Sequence, residues 1–305
     1  MKRILATAAA VLCLFVLSAC QKPAAVTVIV PSGSPALAQI YIQSDPDYDV
    51  DVVNGADPLV AAFGSGSHDV IFAPTNLGAK MIASGSAYVF AGTVVWGNYY
   101  LVTTGKTSFS FSDLAGQTIY AFGPNQTSDI ILRHLLTSLD IAADLVFPPD
   151  PTVATLAAMF AVDPSLIVMT AEPSLSTIQA AVAGVQVIDL QNVYELVSGT
   201  SAYPQAGVFL RADLDPTIAA RFLSDLAASV AAVNDDPVGA AADAVDLGFG
   251  FTETVMMAAI PGSHLDFVSA ADSRVAIEAY FTIIMGINAA LIGGTLPNDA
   301  FYYQP

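Results

Sequence analysis

Apolar residues gather into short runs separated by polar, glycine-rich and proline-rich turns, and two kinds of run alternate. Runs of about four to eight residues rich in Val, Ile and Phe read as strands; longer stretches with apolar residues three and four apart read as helices. Strands are predicted at Val26–Val30, Val50–Val53, Val70–Ala73, Val89–Val95 and Tyr99–Thr103. The short gap before Tyr99–Thr103 lets it run antiparallel to Val89–Val95. Helices are predicted through Ala36–Tyr41, from an Asp57 cap with Pro58 in the first turn, and from Asn76 through Met81.

A loop at Gly105–Ser112 interrupts the alternation, which restarts with a strand at Thr118–Phe122 and a turn over Gly123–Ser128. The next helix, Asp129–Leu139, carries Ile131, Leu132, Leu135, Leu136 and Leu139 on one face. A strand near Leu145–Phe147, a helix over Thr152–Ala161, a strand at Leu166–Thr170, a helix over Pro173–Ala183 and strands at Val185–Leu190 and Val208–Leu210 follow. From Asp215 onward the pattern is mostly helical, with a long amphipathic helix from Pro216 through Val233. The prediction is an α/β chain with mainly parallel sheets, in two units with a helical tail. Boundaries are expected near Gly105 and Tyr203. The first lobe then takes 26–104, the second 105–203, and 204–305 returns to the first. Two chain crossings make a hinge, with a central cleft between the lobes.

The chain has 305 residues, room for about two domains. With 54% hydrophobic and 12% charged residues it is not a disordered chain. Nine basic residues face 27 acidic ones, a formal net charge of −18, so no basic footprint for nucleic acid exists. The two cysteines, Cys13 and Cys20, build neither a disulfide framework nor a zinc cluster.

Lys2 and Arg3 precede an uncharged, mostly apolar run from Ile4 to Leu17. It is shorter than the roughly 20 residues of a bilayer span and fits a secretory signal over 1–19. The run ends in Leu17-Ser18-Ala19-Cys20, which resembles a bacterial lipobox. That resemblance implies cleavage before Cys20, lipidation of its thiol and a short tether over 20–25 that holds the body at the membrane. A second apolar stretch, Val275–Gly294, is interrupted by Glu278 and Asn288 and reads as a helix of the globular body.

Several stretches together resemble substrate-binding lipoproteins of ABC importers with the type 2 periplasmic-binding-protein fold. The group is that of nitrate, sulfonate, taurine and thiamine-precursor binders. The stretches are Val28–Pro35, His68–Asn76, Asp113–Ile119, Thr170–Pro173 and Tyr203–Gly207, in the expected order. The resemblance implies capture of a small solute by hinge closure and delivery to a membrane permease with ATPase subunits. The chain itself has no G-x-x-x-x-G-K-[ST] phosphate loop. A ligand-binding subunit of a sensor or chemoreceptor is the alternative. The resemblance also takes in a few enzymes on this fold, which are cytosolic; the export signal argues against that less favoured reading, and no cofactor is expected.

Ligands in open α/β sheets sit at the carboxyl ends of strands, where helix N-termini expose N–H groups. The loops there nominate Ser32, Gly33 and Ser34; Pro74, Thr75 and Asn76; Trp96 and Asn98; and Gln126, Thr127 and Ser128. Helix capping alone would explain Ser34, Asn76 and Thr127. Trp96 suits stacking on a planar or cationic ligand, or core packing. Glu172 follows an apolar strand and is a candidate partner for a cationic group, or a solvated helix start. Tyr203 and Gln205 lie at the second crossing. Beyond the signal the cations are Lys22, Lys80, Lys106, Arg133, Arg211, Arg221 and Arg274. So few cations in an acidic chain favour a neutral or cationic solute. His68, His134 and His264 have no metal-ligand spacing. Gly64–Ser67 is no nucleophile elbow, since it follows a helix.

Overall fold

The computed structural model describes residues 25–200 and 202–305. The expected signal, Cys20 and most of the tether lie outside the described residues. Strands β1 (Val26–Pro31), β2 (Tyr48–Val53), β3 (Val70–Pro74), β4 (Tyr88–Trp96), β10 (Pro204–Arg211) and β11 (Leu265–Ser269) form one sheet, in the order β11-β4-β10-β3-β1-β2. Strands β5 (Tyr100–Thr103), β6 (Thr118–Tyr120), β7 (Asp144–Val146), β8 (Ile167–Thr170) and β9 (Gln186–Asp189) form the other, in the order β7-β6-β8-β5-β9.

The sheets are mixed rather than mainly parallel. Strand β1 is parallel to β2 and β3, and β6 is parallel to β7 and β8. Strand β10 is antiparallel to β3 and β4, β11 to β4, and β5 to β8 and β9. The reason is the route of the chain. Strand β3 ends where β10 begins, with Pro74 beside Ala206, so a strand arriving from the other lobe runs against one leaving toward it.

The first boundary moves for the same reason. Tyr100–Thr103 was expected in the 26–104 segment but pairs wholly within the second sheet. The chain therefore crosses between Trp96 and Tyr100, turning at Gly97 (φ 77°) and the buried Asn98. It re-enters the first sheet at Pro204.

The helices in the first half are α1 (Ser34–Leu37), α2 (Ile40–Gln43), α3 (Asp57–Ser65), α4 (Thr75–Ala83), α5 (Thr127–Ser138) and α6 (Val153–Val162). Those in the second are α7 (Ser174–Ala181), α8 (Leu190–Ser198), α9 (Pro216–Asp235), α10 (Pro237–Asp246), α11 (Glu253–Gly262) and α12 (Ala270–Asn288). Asp215 caps α9 by accepting from the backbone N–H groups of Thr217 and Ile218. Asp57 is not the cap of α3: the backbone of Ala56 is already helical, and Asp57 is the first helical residue.

Alternation along the strands divides the core. Val28 and Val30 of β1 face one way, with Leu37, Phe72, Val208, Phe222 and Leu226. Ile29 faces the other, with Phe63, Phe90, Phe209 and Phe281. That second cluster continues through Tyr99 and Tyr203 into the second lobe, where Leu101, Ile131, Leu135, Phe160 and Met169 are buried. Helices α9 and α12 are long and apolar enough to cross a bilayer by length and composition. Each packs one face on the body, α9 through Phe222, Leu226 and Val233 and α12 through Ile277, Tyr280, Phe281 and Ile284.

Candidate functional site

Loops from both lobes meet at the ends of β1, β3, β8 and β10, around the crossing at 97–99. Asn98 is fully enclosed, and its amide joins three segments. Its Nδ2 donates to Ser34 Oγ at 2.5 Å and to the Glu172 carbonyl at 3.3 Å, and its Oδ1 accepts from Glu172 N–H at 2.8 Å. The loop after β1 is thereby tied to the segment after β8. Gly33 sits there at φ 96°, a left-handed conformation that suits glycine.

Glu172 is only 6% exposed. Its carboxylate accepts from Ser176 N–H and Ser176 Oγ, both at 3.0 Å, at the start of α7. Burial pushes its pKa up to about 7, against the lowering effect of those two bonds. Across the lobe boundary it meets Gly262, where a Cβ would lie 3.0 Å from Glu172 Oε1 and 3.2 Å from the Tyr100 hydroxyl. Tyr100 donates to the Gly262 carbonyl at 2.8 Å and lies 3.2 Å from His264 Nε2. Burial lowers the His264 pKa and raises that of Tyr100, so both are neutral near pH 7.

A second bridge crosses on the other side. Thr127 Oγ1 donates to Asn76 Oδ1 at 3.2 Å, joining the first turn of α5 to the first turn of α4. Thr75 Oγ1 donates to the Pro204 carbonyl at 2.6 Å. None of Ser34, Asn76 and Thr127 is a cap. The cap positions hold Gly33, Pro74 and Gln126, none making a side-chain cap bond. At α4 and α5 the first-turn N–H groups therefore face the boundary without side-chain acceptors at their caps.

Between the bridges lies an aromatic and amide network. Tyr203 is fully buried, stacks on Tyr99 at 6.1 Å between centroids and donates to Gln191 Oε1 at 2.8 Å. Gln191 Oε1 also accepts from Tyr99 N–H at 2.9 Å. Gly97 packs so closely here that a Cβ would come within 2.6 Å of Gln191 Cγ. Tyr280 of α12 joins the stack 6.3 Å from Tyr203.

Other expected residues are placed elsewhere. Ser32 donates to Asn54 Oδ1 on an exposed flank. Trp96 turns toward β11 and donates to the Asp266 carbonyl at 2.9 Å. Gln126 is exposed, and Ser128 Oγ closes its own turn on the Phe122 carbonyl at 2.8 Å. Gln205 has its Oε1 buried without a partner. Sequence reasoning missed Gln191 and Tyr280. The first stands in α8, a helix the sequence reading did not predict, directly after the strand read as ending at Leu190, and the second sits in a long apolar helix with nothing local to mark it.

The cations among the described residues stand apart from this cluster. Arg133 pairs with Asp129, Arg211 with Asp69 and Asp213, Arg221 with Asp47, and Arg274 with Glu278 and Asp299. Lys80 is exposed, and Lys106 lies over the Phe109 ring. Among the described residues no group of three or more His, Cys, Asp or Glu is placed to hold a metal. A separate groove of about 660 Å³ runs between α5 with the turn after it and α12, lined by Arg133, Thr137, Leu145, Thr282 and Ile287 among others. None of the expected ligand residues lines it.

No protein-family profile matches the chain, and no curated protein matches it in sequence. Solved structures do match in fold. A Parabacteroides distasonis ABC transporter structure superposes with a TM-score of 0.81 at 20% identity, covering 92% of this chain and 99% of that one. The ligand-binding component of an ABC-type import system from Staphylococcus aureus, solved with zinc bound, gives 0.70 at 13% identity, covering 92% and 96%. The periplasmic aliphatic sulphonate binding protein SsuA of Escherichia coli gives 0.68 at 15% identity, covering 93% of each chain. The chain has the two-lobed α/β fold of periplasmic binding proteins.

Proposed function

We propose that the chain is the extracytoplasmic solute-binding component of an ABC importer, lipidated at Cys20 and anchored to the membrane. It captures a small organic solute between its lobes and delivers it to a permease driven by ATPase subunits. The observation that carries the reading is the Thr127–Asn76 bond, by which first-turn residues of two helices on opposite lobes meet face to face. Such a boundary is where a solute gains contacts to both lobes and so favours the closed state. The fold likeness to import-system binding proteins supports the same reading. The crossings at 97–99 and at 202–203 would act as the hinge.

Thermal-shift screening of the full chain against amines, pyrimidines, sulfonates and amino acids tests this. A cognate solute raises the melting temperature by mass action, by about 2.7 kcal/mol of added stability at a hundredfold excess over Kd. Melting temperatures unmoved by every solute class would remove the reading's support.

A further inference from the structure

The lobe boundary contains polar atoms that the protein leaves unpaired. Tyr280 is fully buried, and its hydroxyl makes only a weak contact to Thr127 of the opposite lobe, short of full hydrogen-bonding geometry. Gln205 Oε1 is buried and unpaired. Tyr203, two residues before Gln205, has its ring 6.3 Å from that of Tyr280. Tyr203 and Phe209 pack in the same cluster as Tyr280. An unsatisfied buried hydroxyl or amide oxygen is costly, and a native fold keeps one where a ligand supplies the partner.

Charge narrows the class. Every described arginine pairs with a carboxylate, and none of them contacts the residues of the two bridges. Beside its hydroxyls, the boundary carries Asn76 Oδ1, Gln205 Oε1 and the Glu172 carboxylate, which only accept when Glu172 is ionised. Such a boundary has no side-chain countercharge for a buried anion. The rings of Tyr99, Tyr203 and Tyr280 give it flat apolar walls.

Resting on the solute-binding reading above, we propose that Tyr280 and Gln205 recognise an uncharged, planar solute with an amide-like edge. A ligand N–H donates to Gln205 Oε1, and a ligand carbonyl accepts from the Tyr280 hydroxyl. Gln205 Oε1 has no protein partner to lose, and the Tyr280 hydroxyl has only the weak contact to Thr127.

The test is a thermal-shift and calorimetric comparison of the full chain with its Tyr280→Phe and Gln205→Leu variants. The probes are uracil and nicotinamide (neutral amides), methanesulfonate and nitrate (anions) and choline (a cation). A neutral amide is expected to stabilise the native chain, with affinity falling about tenfold in each variant. Tyr280→Phe without probe is expected to melt close to the native chain, losing only the weak Thr127 contact; should it not fold, Gln205→Leu carries the test. Stabilisation by the anions or choline alone overturns the ligand class and leaves the solute-binding reading standing. Equal stabilisation of all three chains overturns the role of the two residues. No response to any of the five probes overturns the proposal, whereas the solute-binding reading falls only if the wider solute classes also fail.

Discussion

Glu172 and Gly262 press together across the lobe boundary so closely that a methyl group on Gly262 would lie 3.0 Å from the Glu172 carboxylate. The same methyl would lie 3.2 Å from the Tyr100 hydroxyl, which is itself bonded to the Gly262 carbonyl. Gly262→Ala forces one of these neighbours to shift. A loss of about 1–2 kcal/mol in urea unfolding is expected, as for mild overpacking, with a larger radius of gyration as the boundary loosens. Unchanged stability and size would mean that the two lobes do not depend on this contact.

Glu172 also sets a pH dependence. Its folded pKa of about 7 lies above the ordinary carboxylate value. The folded chain therefore binds a proton that the unfolded chain releases, and stability falls as pH rises from about 4.5 to 7, then levels. Burial of His264 acts the other way, because its lowered pKa costs stability as pH falls below the ordinary histidine value of about 6.5. The difference between the native chain and Glu172→Gln isolates the carboxyl. The variant is expected to gain roughly 2–3 kcal/mol on the native chain between pH 5 and pH 8. Parallel melting curves across that range would show the carboxyl titrating normally.

Asn98→Ala removes three hydrogen bonds at once and leaves the Glu172 N–H and the Ser34 hydroxyl without this partner in a buried site. A destabilisation of about 2–3 kcal/mol is expected in chemical unfolding. A cost below about 0.5 kcal/mol would show that water replaces the amide there.

Thr127→Val keeps the side-chain shape but deletes the bond to Asn76. Global stability is expected to change by about 1 kcal/mol or less. Solute affinity should change more, because the bond acts only when the lobes are closed. Titration calorimetry with a solute found by screening measures this, and an affinity equal to the native chain's would detach Thr127 from closure.

Cys20→Ser tests the anchor. In a bacterial host the native chain is expected in the membrane fraction and labelled by radioactive palmitate, and the variant unlabelled and released into the soluble extracytoplasmic fraction. Labelling that persists in the variant would rule out lipidation at Cys20.

The order of strands and helices was largely legible, because runs such as Val70-Ile71-Phe72-Ala73 and the Ile131–Leu136 face carry their period locally. Lobe membership was not. Tyr100–Thr103 follows Val95 so closely that the sequence suggests a hairpin; only the pairing with β8 and β9, a long-range event, sends it across. Strand β11 was missed because Leu265–Ser269 is short, at a sheet edge and half-buried. Asn76, Thr127, Asn98, Glu172 and Tyr203 were legible as site candidates from strand ends and crossings, and the fold brings them to one boundary. The same logic also selected Ser32, Trp96 and Gln126, because sequence position fixes which loop a residue occupies but not which way its side chain turns.

Small-angle X-ray scattering of the full chain, alone and with a solute that raises its melting temperature, tests hinge closure most directly. Closure over the solute is expected to narrow the spread of radii seen alone and to lower the mean radius of gyration. Identical scattering with and without a bound, stabilising solute would contradict it.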